Sequence, residues 1–189
     1  MILADRSVNL EGSQEKMRQI WKIISKYDAY LTNYGNLDHG ISHEVTFDKF
    51  VCGEENQYAH AVFNNQNALK ECLRELKRRD FGLSVVVSGL FDEVQKICED
   101  IEIIPHTVEY SLGVHGKKGM LPEDKILEIT TMCGHHLVAP NLVKHMVKKI
   151  QEGEIRSSEA AVELSRQCRC GIFNPERAQI ILEEMVSEK

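Results

Sequence analysis

Apolar residues recur at spacings of three and four through Met17, Ile20, Trp21, Ile24, Tyr27, Leu31 and Tyr34, which predicts a helix over residues 14–34. Ser13 is placed to cap its start and Gly35 its end. The turn-rich stretch 33–40 then leads into HEVTFDKFVC, where Val45, Phe47 and Val51 alternate with polar neighbours. A Gly-Glu-Glu-Asn turn at 53–56 and YAHAVF follow, so residues 44–63 read as a β-hairpin. Helical spacing returns over 65–79 through Leu69, Cys72, Leu73 and Leu76.

LSVVVSG (residues 83–89) is a β-branched run of the kind that forms a strand buried on both faces. Gly89 ends it, and Val94, Ile97 and Ile101 mark a helix over 91–101. HTVEYSL then alternates, with His106, Val108, Tyr110 and Leu112 on one face. A helical crossover of this length suits two parallel strands, so 82–88 and 106–112 are expected to form a βαβ unit.

Beyond about residue 120 the pattern is helical only, with elements expected near 122–133, 140–152, 157–168 and 174–187. Pro122, Pro140 and Pro175 stand where a first turn tolerates proline; Ser157, Ser158 and Asn174 are candidate caps, and Gly134 and Gly153 candidate stops. The expected class is therefore α+β or α/β. A small mixed sheet, hairpin plus βαβ unit, carries flanking helices over residues 1–112, and an all-helical portion rich in Cys and His spans 113–189.

With 23 basic and 29 acidic side chains among 189 residues, the formal charge of −6 argues against nucleic acid or an anionic membrane as the partner. Apolar runs are too short for a membrane-spanning helix, and MILADRSVNLEG lacks the apolar core of a secretory signal, so the cytoplasm is the expected compartment. Six cysteines in such a chain read as thiols and not as a disulfide framework. Cys72 and Cys98 lie on apolar helical stripes and Cys52 at an element's end, where packing accounts for them.

Cys133-Gly-His-His136 and Cys168-Arg-Cys-Gly171 both fall at expected helix ends, where side chains converge while backbone N–H groups stay free for thiolate sulfur. Cys133, Cys168 and Cys170 with His136 would make a tetrahedral zinc site, and His135 or His145 could also complete one. The three thiolates alone would hold an iron–sulfur cluster, such as a 4Fe–4S centre with one iron open. The loop Gly113-Val-His-Gly116-Lys-Lys-Gly119 follows the expected second parallel strand. Ligands of open parallel sheets gather at that edge, so Ser88, Gly89, Gly113, Gly116 and Lys117 are the candidate contacts for a small anionic ligand.

His115 and His135 are the candidate proton carriers. His39 and His43 fit a surface turn better than a metal site, because Gly40 between them opposes a helix. The leading expectation is a metal- or iron–sulfur-dependent protein, an enzyme acting on a small anionic molecule. The alternative is a non-catalytic binding or accessory module with a structural zinc. Its last helix carries an apolar stripe through Ala178, Ile181, Leu182 and Met185 that serves the core or a homodimer.

Overall fold

A computed structural model describes residues 1–5, 7–53 and 57–188. Gly12 precedes helix α1 (Ser13–Ile24), which is followed by a 3-10 segment (Ser25–Tyr30). The chain then turns into strand β2 (Leu31–Asn36) and not into further helix; β1 is Ile2–Leu3. The register of β2 against β4 (Tyr58–Phe63) shifts between Leu31 and Asn33. A bulge of this kind puts residues three apart on one face, so Leu31 and Tyr34 both reach the core with a spacing that imitates a helix.

β3 (Gly40–Ile41) closes a hairpin with β2, so the hairpin lies upstream of the one expected over 44–63. Residues 47–52 form a short helix, α2 (Phe47–Cys52). Phe47 and Phe50 are three apart and close on the α1 tryptophan, with the Trp21–Phe50 ring centroids at 4.4 Å and Tyr34–Phe47 at 4.0 Å. That aromatic cluster outweighs the alternating pattern. Apart from Gly53, the turn expected at 53–56 lies outside the described residues.

α3 (Gln66–Arg79) starts on Asn65, whose side chain accepts the Ala68 N–H at 2.9 Å. From LSVVVSG only Ser84–Val85 forms a strand, β5, exposed at the sheet edge and followed by α4 (Phe91–Asp100). The sheet order is β3-β2-β4-β1-β5 and all four pairings are antiparallel. The expected βαβ unit is therefore corrected. Residues 106–112 are exposed and irregular, and β5 pairs with β1 instead.

The helical portion consists of α5 (Asp124–Thr131), α6 (Pro140–Gln151), α7 (Ser157–Ser165) and α8 (Pro175–Ser187). Pro140 and Pro175 occupy first turns, and Asn174 caps α8 by accepting from Arg177 N–H at 3.1 Å. Pro122 falls ahead of α5, and Arg156, with Glu159, caps α7 in place of the serines. The architecture is thus α+β, a small sheet with flanking helices followed by a helical C-terminal region.

Two apolar cores result. One packs α1, α2, α3 and α4 on one face of the sheet around Trp21, Phe50 and Ile20. The other lies within the helical portion around Ile129, Leu164, Phe173 and Leu182. Cys72 and Cys98 are buried as expected, and burial pushes the Cys72 thiol up to about 12. Cys52 is exposed. No helix among the described residues is long and apolar enough to cross a membrane.

Candidate functional site

The chain carries its densest buried polar chemistry where the second core meets the sheet. Thr32, Asn33, Asn36 and His60 are all buried on β2 and β4. Asn33 joins the two halves: its Nδ2 donates to the Phe173 carbonyl at 2.9 Å, while its Oδ1 accepts from Ser42 Oγ at 2.8 Å and from Tyr34 N–H at 3.0 Å. Such a side chain satisfies groups on both sides and leaves few geometries in which the halves fit.

Against this face packs the turn that ends α7. Cys168 N–H donates to Ser165 O at 2.9 Å and Gly171 N–H to Cys168 O at 3.1 Å, which curls residues 168–171 tightly. Gly171 has φ +76°, and a Cβ there would stand 2.6 Å from both Gly35 N and Tyr34 C. Only glycine admits both that dihedral and that closeness to β2. The turn directs Cys168 Sγ and Cys170 Sγ to one side, 3.7 Å apart.

The second segment, after α5, is closed by a His136 N–H bond to Cys133 O at 2.9 Å. It brings His135 Nδ1 to 4.0 Å from Cys170 Sγ, and places Cys133 near enough to Cys168 to lower the latter's pKa. The thiol of Cys168 donates to Cys170 and holds the latter's pKa down to about 7, with the Ile172 backbone N–H adding to the effect. Cys168 is pushed up by the same bond and by burial. Cys133 and Cys168 are 0% exposed and Cys170 2%, while His135 faces solvent.

His60 lies under this turn at 7% exposure. Burial lowers its pKa to about 4, against the pull of the Cys170 and Gly35 carbonyls, and its Nδ1 has no hydrogen-bond partner among the described residues. The ring is therefore neutral at ordinary pH. Nothing in YAHAVF marks His60 in advance, since its role depends on a turn 110 positions downstream.

Of the expected site residues, Cys133, Cys168, Cys170 and His135 are brought together. The turn carries His136 in the left-handed region (φ +54°), exposed, and the contact to Cys170 is made by its neighbour His135. As the side chains stand, no three His, Cys, Asp or Glu groups among the described residues are placed to hold a metal ion. Ser88, Gly89, Gly113, Gly116 and Lys117 are all exposed, and an added Cβ at Gly113 or Gly116 would meet nothing within 4 Å.

The parallel sheet edge that was to gather those residues is absent from the described pairings. His115 belongs to the same exposed segment, its Nε2 3.0 Å from the Leu112 carbonyl. His39 bonds Asn36 through its backbone N–H at 2.8 Å, and His43 is exposed near Arg166. No family model matches the chain, and no curated protein or solved structure is significantly similar to it.

Proposed function

We propose that Cys133, Cys168, Cys170 and His135 hold one zinc-type metal ion, and that the ion fastens the segment after α5 to the turn after α7, the turn that packs on the sheet. The observation that carries the reading is the 3.7 Å separation of Cys168 Sγ and Cys170 Sγ beside the His135 imidazole. Thiolates sharing one tetrahedral ion at a metal–sulfur distance of about 2.3 Å stand about 3.8 Å apart. In a 4Fe–4S cluster each cysteine takes its own iron, which holds the sulfurs a cluster's width apart. A single ion suits the turn better.

Two further features favour metal ligation. The Ile172 N–H stabilises negative charge on both sulfurs of the turn, as thiolate ligands require. The exposed His135 ring is free to rotate about its side-chain bonds, so closing the set around an ion needs no backbone movement there. The near-complete burial of the three sulfurs favours a closed, structural site over an enzyme whose small anionic reactant must reach them. Free thiols at six positions suit a reducing compartment such as the cytoplasm.

The test is metal analysis of protein purified anaerobically under reducing conditions, beside Cys133→Ser and Cys168→Ser. The expected result is colourless protein with about one zinc per chain, lost in both variants. Brown protein with iron and absorbance near ~400 nm would overturn the single-ion reading. So would metal-free protein that takes up no zinc on titration.

A further inference from the structure

Among the described residues the strand pattern over residues 106–112 finds no strand partner, and neither does the outer edge of β5. Val86 exchanges both main-chain bonds with Met1, N–H to O at 2.8 Å in each direction, and Val85 stands opposite Ile2. Main-chain groups alternate in direction along a strand, so those of Val85 and Val87 point away from β1 to the open edge. Unpaired edges of this kind are templates for another strand. Next to the edge lies a cavity of about 400 Å3 whose walls include Leu76, Phe81, Leu83, Val85 and Ile103.

The chain itself leads a segment past this edge. Ile103, where the chain leaves α4, already belongs to the cavity wall. Seven positions on, the Tyr110 ring rests against Phe91, the first residue of α4, with centroids 4.9 Å apart. The segment therefore runs from Ile103, beside Leu83 and Val85, toward Phe91, as the chain itself does on leaving β5. Ile104, Tyr110 and Leu112 are 94%, 64% and 90% exposed along it. That much apolar surface on an irregular segment is costly in water.

We propose that residues 106–112, irregular in this structure, form a sixth strand in a second, closed state, in which they pair in parallel with the open edge of β5 and lay Val108, Tyr110 and Leu112 over the cavity. The α4 crossover is the connection that parallel pairing requires. The chain's own segment is the occupant because it is tethered at both ends of the edge, by Ile103 in the cavity and Tyr110 on Phe91. Closure would bring exposed valine, tyrosine and leucine surface onto the apolar part of the cavity wall, beside Lys77 and Asp80, and pair both sets of main-chain groups.

Amide hydrogen exchange on the full chain tests this, read by mass spectrometry at two protein concentrations and in Val108→Asp/Leu112→Asp. The expected result is protection of the 104–114 peptides by about tenfold or more over an unstructured chain, equal at both concentrations. The double variant should lose that protection while α6 keeps its own. Unstructured exchange rates in the wild type would overturn the proposal, as would protection indifferent to the double variant. Protection that grows with concentration would also overturn it, since the strand would then come from a second copy.

Discussion

Replacing Gly171 with alanine probes the contact on which the junction depends. A non-glycine residue in the left-handed region costs about 1–2 kcal/mol. The added Cβ would also lie 2.6 Å from Gly35 N and Tyr34 C and 2.7 Å from Tyr34 O, all backbone atoms of β2 that no rotamer change removes. Backing the turn away from the sheet costs a further 1–3 kcal/mol or so, the usual range for forced overpacking. The loss is therefore about 2–5 kcal/mol, a large share of a typical domain's 5–15 kcal/mol or so.

Gly153→Ala is the control, because Gly153 has φ +73° but nothing within 4 Å of an added Cβ. It should lose only the dihedral cost, about 1–2 kcal/mol. Urea unfolding followed by fluorescence of the single buried tryptophan, Trp21, and by far-UV circular dichroism reads both losses. With slopes of about 1–3 kcal/mol/M, a loss of ~4 kcal/mol moves the midpoint by more than ~1 M. If Gly171→Ala were no more damaging than Gly153→Ala, the close packing of the cysteine turn on β2 would be wrong.

Stability should fall as pH is lowered from about 6.5 to about 4: an unfolded histidine takes up a proton below 6.5, whereas His60 resists until about 4. In that interval the unfolded state binds more protons, so His60 contributes up to about 3 kcal/mol above it that is lost on acidification. His60→Gln should flatten this part of a pH–stability profile, and an unchanged slope would contradict the buried neutral ring. Asn33→Ala leaves the Phe173 carbonyl and Ser42 hydroxyl without the partners described above. It should cost about 1–3 kcal/mol in urea unfolding, and a change within about 0.5 kcal/mol, typical of a surface site, would contradict the buried bridge. Phe173→Ala, at 0% exposure, should cost about 3–5 kcal/mol, with a smaller loss refuting its place in the second core.

The long amphipathic elements were legible in the chain. α3 and the four C-terminal helices carry periodic stripes, with capping asparagines at α3 and α8. The strands were not, because their identity depends on neighbours. Leu31 and Tyr34 keep helical spacing only because a bulge rotates one of them, and LSVVVSG is β-branched yet finds a partner on one side alone. Phe47 and Phe50 declare a helix only once Trp21 is there to receive them.

At the junction, the cysteines stand out locally through their glycine and histidine neighbours. Which histidine meets them does not, because His135 and His136 differ only in where a left-handed turn aims each ring. The Gly35–Gly171 approach and the burial of His60 join positions more than a hundred residues apart. No local pattern encodes them.

X-ray absorption at the zinc edge of the loaded protein addresses the four-ligand centre most directly. The expected shell is three sulfurs at about 2.3 Å and one nitrogen at about 2.0–2.1 Å, with the zinc signal lost in Cys133→Ser. A shell of oxygen and nitrogen alone, or one unaltered by that substitution, would contradict the centre.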